Sequence, residues 1–444
     1  MTLWTTAEIN PALSLRCSEP LSITGVSLDT RTLKEGDLFV CLRGDHHDGH
    51  HYIDAALAAG AGAVLSEQSH PDPRVLRVSD TFAAIQALAR YRRNQLDDAF
   101  IIGVTGSVGK TTTKELLRVM LSPQGVTTAT TGNYNNHLGV PVTLMRCPKQ
   151  ASFVIVEMGM NHAGELRDLT HLVRPHLALV TTVAPSHIGN FASLRDIALA
   201  KAEIFEGLVG GGIALYGDDH AYTDVMEKAI QNRGAQRSVC IPTAGLASRN
   251  SWDWRGSVFD LTEYADDPAL KACIVCALTA VGEAGADVFK AYQALSTFQR
   301  PSGRGNILDL SGVRIIHDAY NASPASMRAA LQRLAALPCS GRRIALLGDM
   351  LDMGKHSAAY HTALLDDVLR KPITTVHTVG PAMAALHAKL PKHQQGLCVA
   401  DVAALGDVFE KTLKPKDLVL IKGSAGMKLG EVVAKLHESL VYQR

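Results

Sequence analysis

Brief apolar runs separated by helical segments organise the chain from end to end. Phe100-Ile101-Ile102, Phe153-Val154-Ile155-Val156 and Leu177-Ala178-Leu179-Val180 show no polar alternation, so they predict strands buried on both faces of a parallel sheet. Between and after them, 113–120 and 194–208 read as helices, as does the alanine-rich stretch 271–284, while 252–261 suggests a small antiparallel element. Beyond residue 299 the alternation resumes. Strands are expected at 313–317, 343–347, 375–379 and 418–421, and helices at 324–336, 358–370 and 402–413, giving a parallel sheet with helices on both faces. Ahead of these blocks, a strand ending at Asp29-Thr30-Arg31, a strand over 38–42 and a helix–Gly60–strand pattern over 52–64 form a first unit. The fold class is therefore α/β in three domains, placed at 1–97, 98–298 and 299–444, the number expected from a length of 444 residues.

Composition narrows the function classes. At 46% hydrophobic and 20% charged, the chain is ordinary globular protein with enough apolar mass for several cores. A net charge of +1 without any basic block argues against a nucleic-acid surface. No apolar run approaches the ~20 residues of a membrane span, and Met1 to Glu8 lacks the basic start and apolar centre of a signal peptide. The expectation is a cytoplasmic monomer. Eight scattered cysteines suit free thiols, and Cys273-Ile274-Val275-Cys276, with no second pair to complete a zinc site, reads as buried core thiols.

The densest chemistry follows the strand at residue 100. Gly103-Val104-Thr105-Gly106-Ser107-Val108-Gly109-Lys110-Thr111 joins a strand to a helix, the context of a phosphate-binding loop. Glycines let the backbone curl so that N–H groups face phosphate oxygens. Lys110 supplies a cation for the β- and γ-phosphates, and the Thr111 hydroxyl suits Mg²⁺. The common pattern has glycine where Val104 stands, so the spacing is a variant. Asn133, Asn135 and Asn136 crowd a loop downstream and offer donors to a substrate or phosphate, or simply build a turn. Glu157 ends a buried strand, where ligands collect in parallel sheets, and is placed to hold Mg²⁺ or a water on it. His187 follows another strand end and is either a ligand or structural. Lys201, flanked by alanines, is either a snorkelling surface lysine or a functional one. The histidine-rich loop around Asp45-His46-His47-Asp48-Gly49-His50-His51 reads as a polar or ligand-contacting loop rather than a metal site. The C-terminal block has two dense loops, 317–324 and 348–354, and no G-x-G-x-x-G, so it is not read as a dinucleotide binder.

Together these motifs resemble the Mur ligase family over nearly the whole chain. The specific matches are the phosphate-loop spacing, Thr131-Gly132-Asn133 with Asn135-Asn136 and Gly139-Val140-Pro141, Glu157-Met158-Gly159, Asp318-Ala319-Tyr320-Asn321, and Gly348-Asp349-Met350-Leu351. The resemblance implies a central P-loop ATP-binding sheet between an N-terminal substrate domain and a C-terminal Rossmann-like domain. It also implies ATP-driven amide formation between a UDP-N-acetylmuramoyl-tripeptide and D-alanyl-D-alanine, with ATP and Mg²⁺ required. By the same resemblance Lys110, Lys201 and His187 are catalytic, Lys201 being carbamylated, and Thr111, Glu157, His187 and Lys201 serve the metals. The nucleotide falls to residues 104–111, Asn133, Asn136, Arg304, Asp318 and Asn321, with Arg304 and Asp318 near the ribose and Asn321 near the adenine. The uridine-linked substrate falls to Thr30, Arg31, Asp48, Gly49 and His50. Departures from the family pattern are Ala272-Cys273-Ile274-Val275-Cys276 where His-Asn-x-x-Asn is usual, Thr182 and Ser323 for asparagines, and Ala425 for an arginine whose charge Lys428 is the candidate to replace. They predict altered adenine contacts. The alternatives are a relative with the same ATP chemistry and a different amine, and a nucleotide-binding scaffold with little turnover.

Overall fold

The computed structural model describes residues 2–442 except 45–46, 219–220, 233–236 and 244. Asp45 and His46 of the histidine-rich loop therefore lie outside the described residues. Three large sheets carry the fold, matching the α/β reading.

The central sheet is wholly parallel, in the order Arg237–Ile241, Ile213–Gly217, Leu177–Val180, Phe100–Thr105, Phe153–Glu157, Thr127–Ala129. Phe100–Thr105 lies between two neighbours and is covered on both faces, which is why its sequence is a continuous apolar run. Register sets Val104 opposite Glu157 and Thr105 opposite Val180. The phosphate-loop turn, Glu157 and Thr181 are thereby brought to one end of the sheet. Helix Lys110–Leu121 buries Leu116, Leu117, Met120 and Leu121 against the sheet and helix Pro268–Glu283. That second helix starts at Pro268, its first N–H groups capped by Asp267, whose carboxylate accepts from Leu270 N at 2.9 Å. Its Ile274, Val275, Ala277, Leu278 and Val281 are fully buried, and each of the larger ones stabilises by about 1.5–3 kcal/mol.

The N-terminal unit is a four-stranded parallel sheet, Gly25–Ser27, Asp37–Val40, Ala63–Ser66 and Val75–Arg77, with a two-stranded ribbon pairing Trp4–Thr5 and Ser22–Ile23. It is pinned to the central unit by side chains that satisfy backbone carbonyls. Arg93 donates to Val173 O at 2.6 Å and Arg174 O at 2.7 Å, Arg146 to Val26 O at 2.5 Å, and Trp4 Nε1 to Met145 O at 2.9 Å.

The C-terminal sheet runs Asn306–Leu310, Val313–Asp318, Leu418–Lys422, Arg343–Gly348, Thr375–Val379, Gln395–Val399. The expectation of a purely parallel sheet needs correction, because Asn306–Leu310 pairs antiparallel with Val313–Asp318. The two residues between them, Ser311 and Gly312, have φ of 52° and 82°, the left-handed pair that a tight hairpin requires. The helix expected over 402–413 is two helices, Val402–Leu405 and Val408–Thr412, parted at Gly406, where φ is +50°. The one expected over 358–370 is likewise split, into Ser357–Thr362 and Leu364–Leu369.

His377 makes this domain acid-sensitive. It is 3% exposed, and its Nδ1 accepts from Leu397 N at 3.0 Å. Burial, with Arg342 and His387 nearby, pushes its pKa from 6.5 down to about 4. Between those values the unfolded chain binds a proton that the folded chain refuses, so stability falls as pH drops through the window. The loss is about 3 kcal/mol at most. His377→Asn keeps an acceptor in place and is expected to flatten this part of the stability–pH curve, measured by urea unfolding at pH 7.5 and pH 5.

Candidate active site

A cavity of about 800 Å³ opens at the carboxyl end of the central sheet, roofed by the C-terminal domain. Its floor is the turn after Phe100–Thr105. Gly106 and Gly109 have φ of 148° and 90°, and a Cβ on Gly106 would sit 1.9 Å from Thr181 Oγ1, so no other residue fits there. Thr182 fixes the turn by accepting from Ser107 N at 2.9 Å through its carbonyl and from Val108 N at 3.0 Å through its hydroxyl. Those two amides are thus spent within the protein. The N–H groups of the first turn of helix Lys110–Leu121 have no intrahelical acceptor and are the ones open to an anion. Lys110 folds back over the turn, its Nζ donating to Gly106 O at 2.7 Å. Burial lowers its pKa, with Arg304 adding to the effect and Glu157 opposing it.

Glu157 is 1% exposed. Its Oε1 accepts from Thr111 Oγ1 at 3.1 Å and Asn135 Nδ2 at 2.8 Å, while Oε2 is buried with no partner. A buried carboxylate oxygen left unpaired is costly unless a ligand completes it. Next to the Thr111 hydroxyl, it fits a hard divalent cation such as Mg²⁺. Among the described residues no group of three or more His, Cys, Asp or Glu is arranged around a metal.

Lys201 lies in the last turn of helix Leu194–Ala202 and is 4% exposed. It has no hydrogen-bond or ion-pair partner among the described residues, and burial together with the nearby Lys110 holds its pKa well below 10.5. The snorkelling reading is therefore wrong: the amine points inward. His187, at φ +54°, lines the cavity, and its Nδ1 is 3.1 Å from Asp352 Oδ2 on the C-terminal domain. Burial and the charge of Lys110 lower its pKa, favouring neutral imidazole.

The roof and side wall are cationic. Arg304 stacks on Tyr320 at 3.7 Å, and Lys422 Nζ reaches Asp318 Oδ2 at 2.8 Å and Asn321 O at 2.9 Å. Asp267, 6% exposed, binds Arg300 at 2.6 Å and Arg333 at 2.8 Å.

The Mur ligase catalytic-domain pattern matches residues 22–92, the Mur ligase middle domain 104–267, and the Mur ligase glutamate ligase domain 303–425. The UDP-N-acetylmuramoyl-tripeptide–D-alanyl-D-alanine ligase of Bacillus subtilis (strain 168) is 34% identical over 95% of this chain and 94% of its own length. The chain belongs to the Mur ligase family. The ligase of the same name from Escherichia coli (strain K12) is 33% identical, over 94% of this chain and 95% of its own. A crystal structure of MurF from Acinetobacter baumannii superposes with a TM-score of 0.82 at 26% identity, covering 98% of this chain and 99% of the other.

Within this Mur ligase cavity lie Ser107, Val108, Gly109, Lys110, Asn133, Asn136, Glu157, His187, Arg304, Asp318 and Asn321. Val104 does not belong with them. It is fully buried in the strand and packs the core, so its side chain cannot reach a nucleotide. Thr105 is equally buried. Asn136 braces the turn before helix Gly139–Met145 through its Oδ1, which accepts from Gly139 N at 2.9 Å, and it is Asn135 that holds Glu157. Cys276 is a buried thiol as expected, but Cys273 is only partly buried, and its Sγ lies 3.9 Å from Gly109 O. Lys428 is exposed and does not line the cavity, so it does not replace the missing arginine's charge. Arg300 and Arg333 do line it, both paired with Asp267.

Thr30, Arg31, Asp48, Gly49 and His50 lie outside this cavity, on the N-terminal domain. His50 needs correction as a ligand-binding side chain. It is 4% exposed, its Nδ1 meets Asp48 Oδ1 at 2.5 Å, and its Nε2 accepts from Glu67 N at 3.1 Å. Both ring nitrogens and much of Asp48 are thus consumed in bracing the loop. Gly49 is there for packing, since a Cβ would lie 2.7 Å from Leu42 N. Arg31 is exposed and paired with Asp29 at 2.5 Å.

Proposed function

We infer that the chain is an ATP-dependent ligase that joins the terminal carboxylate of UDP-N-acetylmuramoyl-tripeptide to the amine of D-alanyl-D-alanine, a step in making peptidoglycan precursor. The observation that carries this is the convergence, at one sheet end, of a glycine turn with Lys110, a buried carboxylate oxygen without a partner on Glu157, and a buried unpaired amine on Lys201. The substrates are those in the names of the relatives that match nearly end to end.

ATP is a substrate here. Its phosphates meet the open N–H groups at the start of helix Lys110–Leu121 and the Lys110 cation. Thr111, Glu157, His187 and Lys201, the last as a carbamate formed from its uncharged amine and CO₂, would hold Mg²⁺, which when bound neutralises charge on the phosphoryl group. Lys110 stabilises the charge on the γ-phosphoryl oxygens as the peptide carboxylate attacks phosphorus and ADP departs. The resulting acyl phosphate has a leaving group that a bare carboxylate lacks. The dipeptide amine adds to its carbonyl carbon, phosphate departs with the former carboxylate oxygen, and the amine gives up its proton. The C-terminal roof, with Arg304 and Tyr320, keeps water from the intermediate. Thr30 and Arg31 remain candidates for the uridine end of the substrate.

Phosphate release should depend on all three substrates. With UDP-N-acetylmuramoyl-tripeptide and ATP present, D-alanyl-D-alanine is expected to drive turnover and single amino acids are not. Equal turnover with a free amino acid would overturn the assignment of the amine.

A further inference from the structure

Two loops from different domains meet beside the cavity, and their contact has the form of a latch. Gly189 N donates to Asp352 O at 3.0 Å. A Cβ on Gly189 would lie 2.8 Å from Gly354 N, and one on Gly354 would lie 2.8 Å from Gly189 Cα. Any side chain at either position would therefore push the loops apart. His187 and Asp352 have positive φ, at 54° and 61°, a conformation that a residue other than glycine holds only where its surroundings impose it. The side-chain link across this contact is His187 Nδ1 to Asp352 Oδ2. A carboxylate accepts, so Nδ1 carries the proton and Nε2, on the opposite edge of the ring, keeps its lone pair. Nε2 has no protein partner among the described residues, and His187 lines the same cavity as Lys110 and Glu157.

We propose that Asp352 is a positioning residue for His187, delivered by the C-terminal domain. By accepting the Nδ1 proton it fixes the ring so that Nε2 faces the phosphoryl-transfer centre, and it does so only while the 187–190 and 352–354 loops are in contact. The same carboxylate–histidine arrangement sets the tautomer and basicity of histidines that face metals. Here the orienting group sits on the other domain, so the transfer centre is complete only when the roof is in place, which guards ATP against idle hydrolysis. The proposal rests on the ligase reading for its purpose, but not for its test.

The ring tautomer is read in the full chain labelled with ¹⁵N-histidine, without metal or turnover. The His187 resonances are expected to show protonated Nδ1 in the unaltered protein, to lose that preference in Asp352→Ala, and to keep most of it in Asp352→Asn, whose amide oxygen still accepts. Gly354→Ala, which leaves Asp352 intact but forces the loops apart, is expected to lose it too. In phosphate release, Asp352→Ala should lower kcat by about 10- to 100-fold with little change in KM for ATP, and should cost nothing further in a His187→Ala background. An unchanged tautomer in Asp352→Ala, or losses that simply add in the double variant, would overturn the positioning role. An unchanged tautomer in Gly354→Ala would overturn its delivery by the roof domain. A protein releasing no phosphate with any substrate would defeat the ligase reading and leave the tautomer test standing.

Discussion

Lys110→Ala is expected to stop phosphoryl transfer while the protein stays folded. In the folded state the Nζ contributes one hydrogen bond among the described residues, to Gly106 O, a net loss of about 1 kcal/mol on removal. The turn is also held by Ser107 and Val108 against Thr182, and by Thr181 Oγ1 donating to Val108 O at 2.6 Å, so its shape does not depend on the lysine. In the transition state the same group faces charge spread over the γ-phosphoryl oxygens, within a cavity walled by protein. Losing one preorganised charge partner there costs about 10²- to 10³-fold or more. Phosphate release and a thermal melt on the same sample separate the two effects. Activity above half in a folded Lys110→Ala protein would contradict the account.

Lys201 gives the second large effect, with an opposite balance between function and stability. A buried amine without a partner does nothing for the fold, since burial disfavours its charged form and no acceptor compensates. Lys201→Met retains a long apolar side chain in the same space. It is expected to remove turnover by about 10²- to 10³-fold without lowering the urea midpoint, because a group kept for chemistry at a cost to stability has been deleted. A carbamate on Lys201 is expected to appear as a ¹³C signal in protein equilibrated with labelled bicarbonate, and that signal should vanish in Lys201→Met. A short carboxylic acid is expected to restore part of the activity of Lys201→Ala by filling the vacated site with an anion. Full activity in Lys201→Met would remove this residue from the mechanism.

The parts legible in the sequence are those that local geometry controls. Gly106 and Gly109 carry backbone angles closed to other residues, so their spacing announces the turn. Glu157 stands out because a carboxylate ending an apolar strand is anomalous unless something binds it. Lys201 is ambiguous from periodicity alone, since alanines on both sides do not tell which face is inward, and only the resemblance pointed to it. Contacts made far along the chain left no trace. His187 and Asp352 are 165 residues apart, and Asp267 meets Arg300 and Arg333 across 33 residues and more. The edge strand Asn306–Leu310 is not legible in the sequence because Asn-Ile-Leu-Asp-Leu breaks the period of two: Ile307 shares the exposed side with Asp309, and Asn306 shares the inner side with Leu308 and Leu310. The histidine loop misled in the other direction, since His50 is buried with both ring nitrogens bonded.

All of this rests on a carboxylate taking the outermost phosphoryl group of ATP and then surrendering it to an incoming amine. Tripeptide substrate labelled with ¹⁸O in its terminal carboxylate tests that directly, through the mass of the phosphate released during ligation to D-alanyl-D-alanine. One labelled oxygen per phosphate is expected, carried over when the acyl–oxygen bond breaks. Phosphate free of the label, with product still formed, would contradict the account.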